Sequence, residues 1–286
     1  MSPFSIFYYL VLSFIYILAI PYLIFKSRNS KYRQAIPAKF FLKDNVPFKE
    51  NGIWFHSCSM GETKAIKPLI DNYLENANIS VITNTGFEEA KKISPNVRYL
   101  PFEIFLPFWV NKQKVLVVME AELWYLLFLL AKKKGAKTLL INARISDKSY
   151  KSYKRFSFFY KRIFQNIDKV FAQSEVDKYR LEELGASNVE VIGNIKLAQL
   201  PKVNVELVKP KQVVITAAST HENEEKLILN AYKKEQGKLI IVPRHPERFD
   251  KIDLQIREFI KDKNISYQRY SVKDDFDSDI ILIDKM

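Results

Sequence analysis

Residues 114–142 read KVLVVMEAELWYLLFLLAKKKGAKTLLIN, and the way this stretch divides decides the fold. KVLVVM (114–119) is a short unbroken apolar run, LWYLLFLLAKKKG behind it is of helix length, and KTLLIN (137–142) is a second apolar run. A strand that is apolar throughout is one covered on both faces, and a strand–helix–strand unit returns parallel. The acids Glu120 and Glu122 stand where the first strand gives way to the helix.

The same alternation runs outward in both directions. Upstream, GIWF (52–55) precedes the helix-like segment after HSCSMGETKA (56–65), and ISVIT (79–83) precedes FEEAKKI. Downstream, KTLLIN leads into a Lys/Tyr-rich helix, KVFAQ (169–173) into EVDKYRLEELGA, and VEVIGN (189–194) closes the set. A linker, LPKVNVELVKPK (200–211), separates this from a second start. There QVVITAA (212–218) leads to a helix at Glu222–Glu235, then KLIIVP (238–243), another helix, and DIILID (279–284). Alternating strands and helices predict mostly parallel, helix-covered α/β sheets. The two halves predict two doubly wound domains with ligands at the C-terminal ends of the strands. Ser59 and Glu62 form a capping box, the serine accepting from the N–H three residues on and the glutamate reaching back to the serine N–H. Ser219–Glu222 and Thr85–Glu88 are read as the same device.

Composition bounds the function. The chain has 286 residues, 48% of them hydrophobic, enough for real cores. Lys and Arg number 45 against 32 acids, a net charge of +13, which favours polyanionic partners. One cysteine, Cys58, excludes a disulfide framework and a Cys-rich zinc site, and three histidines argue against a His-based metal site. Phe4 to Phe25 contains no charged residue, and at 1.5 Å per residue it covers roughly the 30 Å of a bilayer core. Lys26, Arg28, Lys31, Arg33 and Lys39 follow, so the positive-inside rule places the remainder in the cytoplasm. Pro21 and the scattered Tyr and Ser leave an in-plane anchor open as well. Nucleic-acid binding would explain the charge but not the apolar segment. The expected division is an anchor over 1–28, one domain over 29–205 and a second over 206–286.

Chemistry-bearing candidates gather at strand exits. Glu62 lies in the first turn of a helix, where the dipole favours an ionised carboxylate that can take a proton from a hydroxyl; capping alone would look the same. Glu120 and Glu122 leave the third apolar run. Arg144, with Lys148 beyond it, follows TLLIN and could face phosphate or membrane. Lys196 follows Gly193-Asn194 and could offer a cation to a leaving phosphate. Arg244 and His245 sit between two prolines, where an arginine can hold a phosphate bidentately. Cys58 has no orienting third group and reads as a small buried residue. Neither GxGxxG nor GxxxxGK[ST] occurs.

Taken together, HSCSMGE, MEAELW, NARISDKSY, FAQSEVDKYRLEELGA, GNIK, AASTHENEE and VPRHPERF resemble, in order and context, the 3-deoxy-D-manno-octulosonic acid (Kdo) transferases. The resemblance runs from Phe4 to Met286. It implies a GT-B glycosyltransferase with two Rossmann-like domains, an N-terminal membrane-anchor helix and an active site in the interdomain cleft. It further implies inverting, metal-independent transfer of Kdo from CMP-Kdo to the lipid A precursor, lipid IVA, at the cytoplasmic face of the inner membrane, without a cofactor. By the same resemblance Glu62 is the base, Glu122 and Lys196 support the transition state, and Arg244 and His245 bind CMP. Ser219, Thr220 and Met286 fall beside them in the donor site, and Arg144 and Lys148 on the acceptor side. MEAELWY has Ala121 where the family commonly has Thr, and Tyr125 where it has Pro. The family pattern continues MGEL and later a GGHNPLE-like loop, whereas this text stops at Met286. The second domain is therefore expected to be incomplete and the chain alone weak or inactive. Two other readings are a noncatalytic membrane-bound binder of anionic lipid and a glycosyltransferase with another nucleotide-sugar donor.

Overall fold

The structure is a computed structural model that describes residues 2–198 and 212–285. The expected linker 200–211 and Met286 lie outside the described residues. The chain divides into two compact units, Met1–Pro201 and Lys202–Met286, and the apolar N-terminal segment belongs to the first.

Unit 1 holds seven parallel strands: β1 (Ile53–Ser57), β2 (Ala77–Val81), β3 (Val97–Tyr99), β4 (Val115–Met119), β5 (Lys137–Ala143), β6 (Lys169–Ala172) and β7 (Val189–Val191). Their order is β3-β2-β1-β4-β5-β6-β7. The order reverses between β1 and β4, and there the crevice outside the strand C-termini opens. Nine helices accompany the sheet among the described residues: α1 (Pro3–Ser27), α2 (Ala35–Phe41), α3 (Met60–Asp71), α4 (Asn84–Lys91), α5 (Leu106–Trp109), α6 (Tyr125–Lys133), α7 (Asp147–Arg155), α8 (Ser157–Phe164) and α9 (Glu175–Glu183). Alternation along β4 shows why its sequence is apolar throughout. Leu116 and Val118 pack with α6 and α8 on one face, while Val117 and Met119 pack with α3 and α4 on the other. Leu126, Leu127 and Phe128 of α6 are fully buried, and truncating one of them to alanine would cost about 2–5 kcal/mol.

Unit 2 has four parallel strands, β8 (Val214–Thr220), β9 (Lys238–Pro243), β10 (Tyr267–Arg269) and β11 (Ile280–Leu282), ordered β10-β11-β9-β8, with α10 (Glu224–Ala231) and α11 (Phe249–Ile260).

Three expectations change. β3 and β10, three residues each, are too short to stand out as apolar runs. The cap of α4 is Thr83, whose Oγ1 accepts from Gly86 N–H at 3.1 Å, so the Thr85–Glu88 box does not form. Ser219 does not cap α10 either. That helix starts at Glu224 behind Asn223, which takes φ 74° and makes no side-chain cap bond, and it ends at Ala231 rather than Glu235.

The segment over 4–25 forms one helix, α1, long and apolar enough to cross a membrane. It lies along unit 1. Ser5 Oγ meets Tyr125 Oη at 2.8 Å, Tyr8 Oη donates to Glu103 at 2.5 Å, Tyr9 Oη to Ile104 O at 3.0 Å, and Tyr16 Oη to Phe40 O at 2.6 Å. Phe7, Leu10, Phe14, Ile17 and Leu18 face outward, and Phe156 and Phe158 beyond α7 are exposed too.

Candidate functional site

The exits of β1 and β4, neighbours at the reversal point, bring the acids of unit 1 together. Ser59 caps α3 as its spacing predicts, its Oγ 3.4 Å from Glu62 N. The carboxylate departs from the simple box. Glu62 Oε2 accepts from Cys58 N–H at 2.8 Å and Oε1 from the Ser59 hydroxyl at 3.2 Å, so it grips the turn one residue ahead of the expected N–H. Glu62 is only 9% exposed. The helix dipole, expected to favour the ionised carboxylate, is not the strongest influence on it. Burial raises its pKa, the Cys58 N–H pulls the other way, and the charges of Glu120 and Glu122 add to the rise.

Glu122 moves in the opposite direction. Burial opposes its charge, but His56, the Trp124 indole N–H at 2.7 Å and the Cys58 thiol outweigh burial, and its pKa falls below the ordinary carboxylate value. Two acids whose surroundings push their proton affinities apart are the arrangement from which acid/base roles are assigned. The Cys58 thiol is pushed up to about 12, first by burial and then by Glu122 and Glu62, so it makes a poor nucleophile.

Glu120 takes φ 54° and Asn142, at the end of β5, takes φ 53°. Left-handed backbone at non-glycine residues on adjacent strand exits is strain of the kind found at ligand sites. Asn142 Nδ2 donates to Glu120 at 3.3 Å and Asn142 Oδ1 accepts from Ile195 N at 3.0 Å. With Gly193 at φ 84°, this turns the chain after β7 so that Lys196 reaches Glu120. Lys196 is thus brought to the acid cluster, but its partner there is Glu120. Arg144 lines a recess of about 280 Å³ with Glu120, Ser146, Ser149 and Tyr153. Lys148 does not line it and stays exposed on α7. Lys39, read as one of the membrane-flanking cations, turns inward instead. Its Nζ donates to Ile82 O at 3.2 Å, and burial lowers its pKa.

Unit 2 carries its own cluster. Ser219 takes φ 61° and its Oγ lies 3.4 Å from Arg244 Nη1, while Arg244 N donates to Thr220 O at 3.2 Å. Thr220 is buried and its Oγ1 has no hydrogen-bond partner. His245 faces His221 edge-on, ring centroids 6.1 Å apart. Arg248 ties the two loops together by donating to Thr220 O at 3.1 Å and to the buried Glu225 at 2.7 Å. Ser219, Thr220, Arg244 and His245 are therefore gathered at the exits of β8 and β9.

The spacing in sequence puts His56 and Cys58 on one face of a strand but gives His56 no role, and it does not point to Asn142 or the Arg248–Glu225 pair. His56 left one signal, a polar residue inside the apolar run of β1. The other two act through pairings between distant segments, which spacing does not show.

The family model described as 3-Deoxy-D-manno-octulosonic-acid transferase (kdotransferase) matches residues 28–199. A bifunctional glycosyltransferase/methyltransferase of Fusobacterium nucleatum is 34% identical over 83% of this chain and 41% of its own length. A 3-deoxy-D-manno-octulosonic acid transferase of Rickettsia felis is 36% identical over 70% of this chain and 48% of its own length. One of the same name from Haemophilus influenzae is 26% identical over 97% of this chain and 69% of its own length. The chain spans about half the length of the first two of these relatives.

Proposed function

The chain belongs to the 3-deoxy-D-manno-octulosonic-acid transferase family, and from that premise we propose that it serves an inverting glycosyltransferase that moves Kdo from CMP-Kdo to a lipid A precursor. The observation that carries the proposal is the pair Glu62 and Glu122 at the reversal point of the sheet, displaced in opposite directions. Glu62, with its raised proton affinity, takes the proton from a glucosamine hydroxyl; that oxygen attacks the anomeric carbon of Kdo as the bond to the CMP phosphate breaks. Glu122 stays ionised and supports the cationic character that develops at the anomeric centre. Lys196, released from Glu120, supplies a cation toward the departing phosphate. Arg244 and His245, with Ser219 and Thr220, hold the CMP moiety, and Arg144 with Lys148 meets the acceptor's phosphates. Met286, expected at the donor site, lies outside the described residues.

Attachment to the membrane follows from how α1 is used. Ser5, Tyr8, Tyr9 and Tyr16 bond to residues of unit 1 beyond the helix while its outer face is apolar, which supports a helix lying in the membrane interface with unit 1 beneath it. Lys26, Arg28, Lys31 and Arg33 then face anionic headgroups on the cytoplasmic side of the inner membrane.

The test is mass-spectrometric detection of Kdo addition to the tetraacyl precursor, with CMP-Kdo as donor. Glu62→Gln is expected to lower turnover by roughly 10²–10⁴-fold with lipid binding unchanged. Undiminished transfer by that variant would remove Glu62 from the chemistry. Lipid binding that persists with no transfer by any form of the chain would favour the noncatalytic binder.

A further inference from the structure

His56 is fully buried on β1, in register with Ser80 on β2. Ser80 Oγ lies 2.7 Å from the indole Nε1 of Trp54 and 2.8 Å from Nδ1 of His56. An indole N–H can only donate, so Ser80 Oγ is the acceptor there, and its own hydroxyl proton is free for Nδ1. Nδ1 is then the acceptor of the ring and the proton sits on Nε2. That nitrogen points at Glu122 Oε2, 3.8 Å away, and has no hydrogen-bond partner. The distance is too long for a hydrogen bond and short enough for attraction between an N–H dipole and a carboxylate.

The competing arrangement puts the proton on Nδ1, donated to the Ser80 carbonyl oxygen at 3.1 Å. It would strand the Ser80 hydroxyl proton, which has no other acceptor among the described residues. It would also aim the Nε2 lone pair at a carboxylate. Both are penalties at a fully buried ring, so the first arrangement wins.

We propose that Trp54, Ser80 and His56 form a buried positioning chain that holds the Nε2–H of His56 toward Glu122 and so sets that carboxylate's orientation and charge. His56 touches no reacting atom in this scheme; it acts through Glu122, and its importance for turnover rests on the role proposed for Glu122 above. The other groups facing Glu122 are Cys58 at the end of β1, Trp124 on its own loop, Glu62 on α3 and Glu120 beside it. Among these His56 is the buried ring donor whose proton the fold assigns, and Trp124 is the second donor. A donor still unmet in the resting state can shorten its contact when charge develops in the crevice.

The test reads the ring and the carboxylate directly and needs no turnover. The full chain contains three histidines, so 15N ring spectra, assigned by the signal missing in His56→Gln, separate them. The expected result is a His56 ring protonated on Nε2 with Nδ1 as acceptor; a proton on Nδ1 in the wild-type chain would overturn the proposal. Ser80→Ala removes the donor to Nδ1 and is expected to release the ring into a mixture of both forms. A ring unchanged in Ser80→Ala would also overturn it. For the carboxylate, His56→Leu is expected to move the 13C titration midpoint of Glu122 upward by about one pH unit. His56→Gln, whose amide N–H reaches the place of Nε2, is expected to bring the midpoint back. A midpoint that stays put in His56→Leu sinks the idea even if the variant folds normally. Transfer measured in parallel with Glu122→Gln separates the two claims, because unimpaired transfer there would end the role of Glu122 while the ring result stands.

Discussion

Glu62 and Glu122 are near-neighbours with opposite proton affinities, and the difference comes from their immediate partners. Glu62 is buried with other carboxylates in its field, whereas Glu122 has a histidine ring, an indole N–H and a thiol laid against it. Burial alone raises both, so the sign at each is decided by what stands within a few ångströms. Cys58 registers the same field. With its pKa at about 12 against an ordinary 9.0, it is expected to react with iodoacetamide at pH 8 roughly 10³-fold more slowly than an exposed cysteine. Labelling at the rate of a free thiol would show that the carboxylates do not crowd it. Glu62 as a candidate was legible from the Ser-x-x-Glu spacing, and Glu122 from its place after an apolar strand. The direction of either shift was not legible, because it depends on residues brought together from β1, β4 and the turns that follow them.

At the scale of elements, α1 joins a length and apolarity sufficient to cross a membrane to polar contacts with the rest of unit 1. Ser5, Tyr8, Tyr9 and Tyr16, unremarkable in sequence, face the rest of unit 1. Tyr8 donates to Glu103, which also accepts from Leu126 N–H at 2.7 Å at the start of α6. Glu103 is 3% exposed, and burial pushes its pKa to about 7 although both donors pull it down. The folded chain therefore binds a proton there that the unfolded chain has released above about pH 4.5. Its contribution to stability is present below that pH and is lost as the pH rises toward 7, with a ceiling on the order of 3 kcal/mol. Relative to Glu103→Gln, the wild-type chain is expected to lose stability between pH 4.5 and 7 in denaturant melts in detergent. Parallel curves for the two proteins across that window would contradict the assignment.

Across the whole molecule, the surplus of cations and the outward apolar face of α1 predict two-part membrane binding. Association with anionic vesicles is expected to weaken as salt rises, because the Debye length shrinks from about 10 Å at 0.1 M to about 3 Å at 1 M. It is expected to fall further in the triple variant Phe7→Ser, Phe14→Ser, Leu18→Ser, which strips the face without touching the side that meets unit 1. Flotation of that variant equal to wild type at high salt would show that α1 does not enter the lipid. Each unit presents its candidate residues at the C-terminal ends of a parallel sheet, as expected for the doubly wound class.

The sequence by itself determined the parallel α/β class, the apolar segment from Phe4 to Phe25, the capping role of Ser59 and the strand exits where acids and cations gather. Those features depend on the period of apolar residues and on contacts within a few positions along the chain. Tertiary structure alone decided that β1 and β4 are neighbours at the reversal point, that Lys196 meets Glu120, that Lys39 turns inward and that His56 faces Glu122 through a ring set by Ser80. Each of these joins residues from separate strands or helices, and the low-dielectric interior where they meet makes their partners, rather than their identities, set their charge.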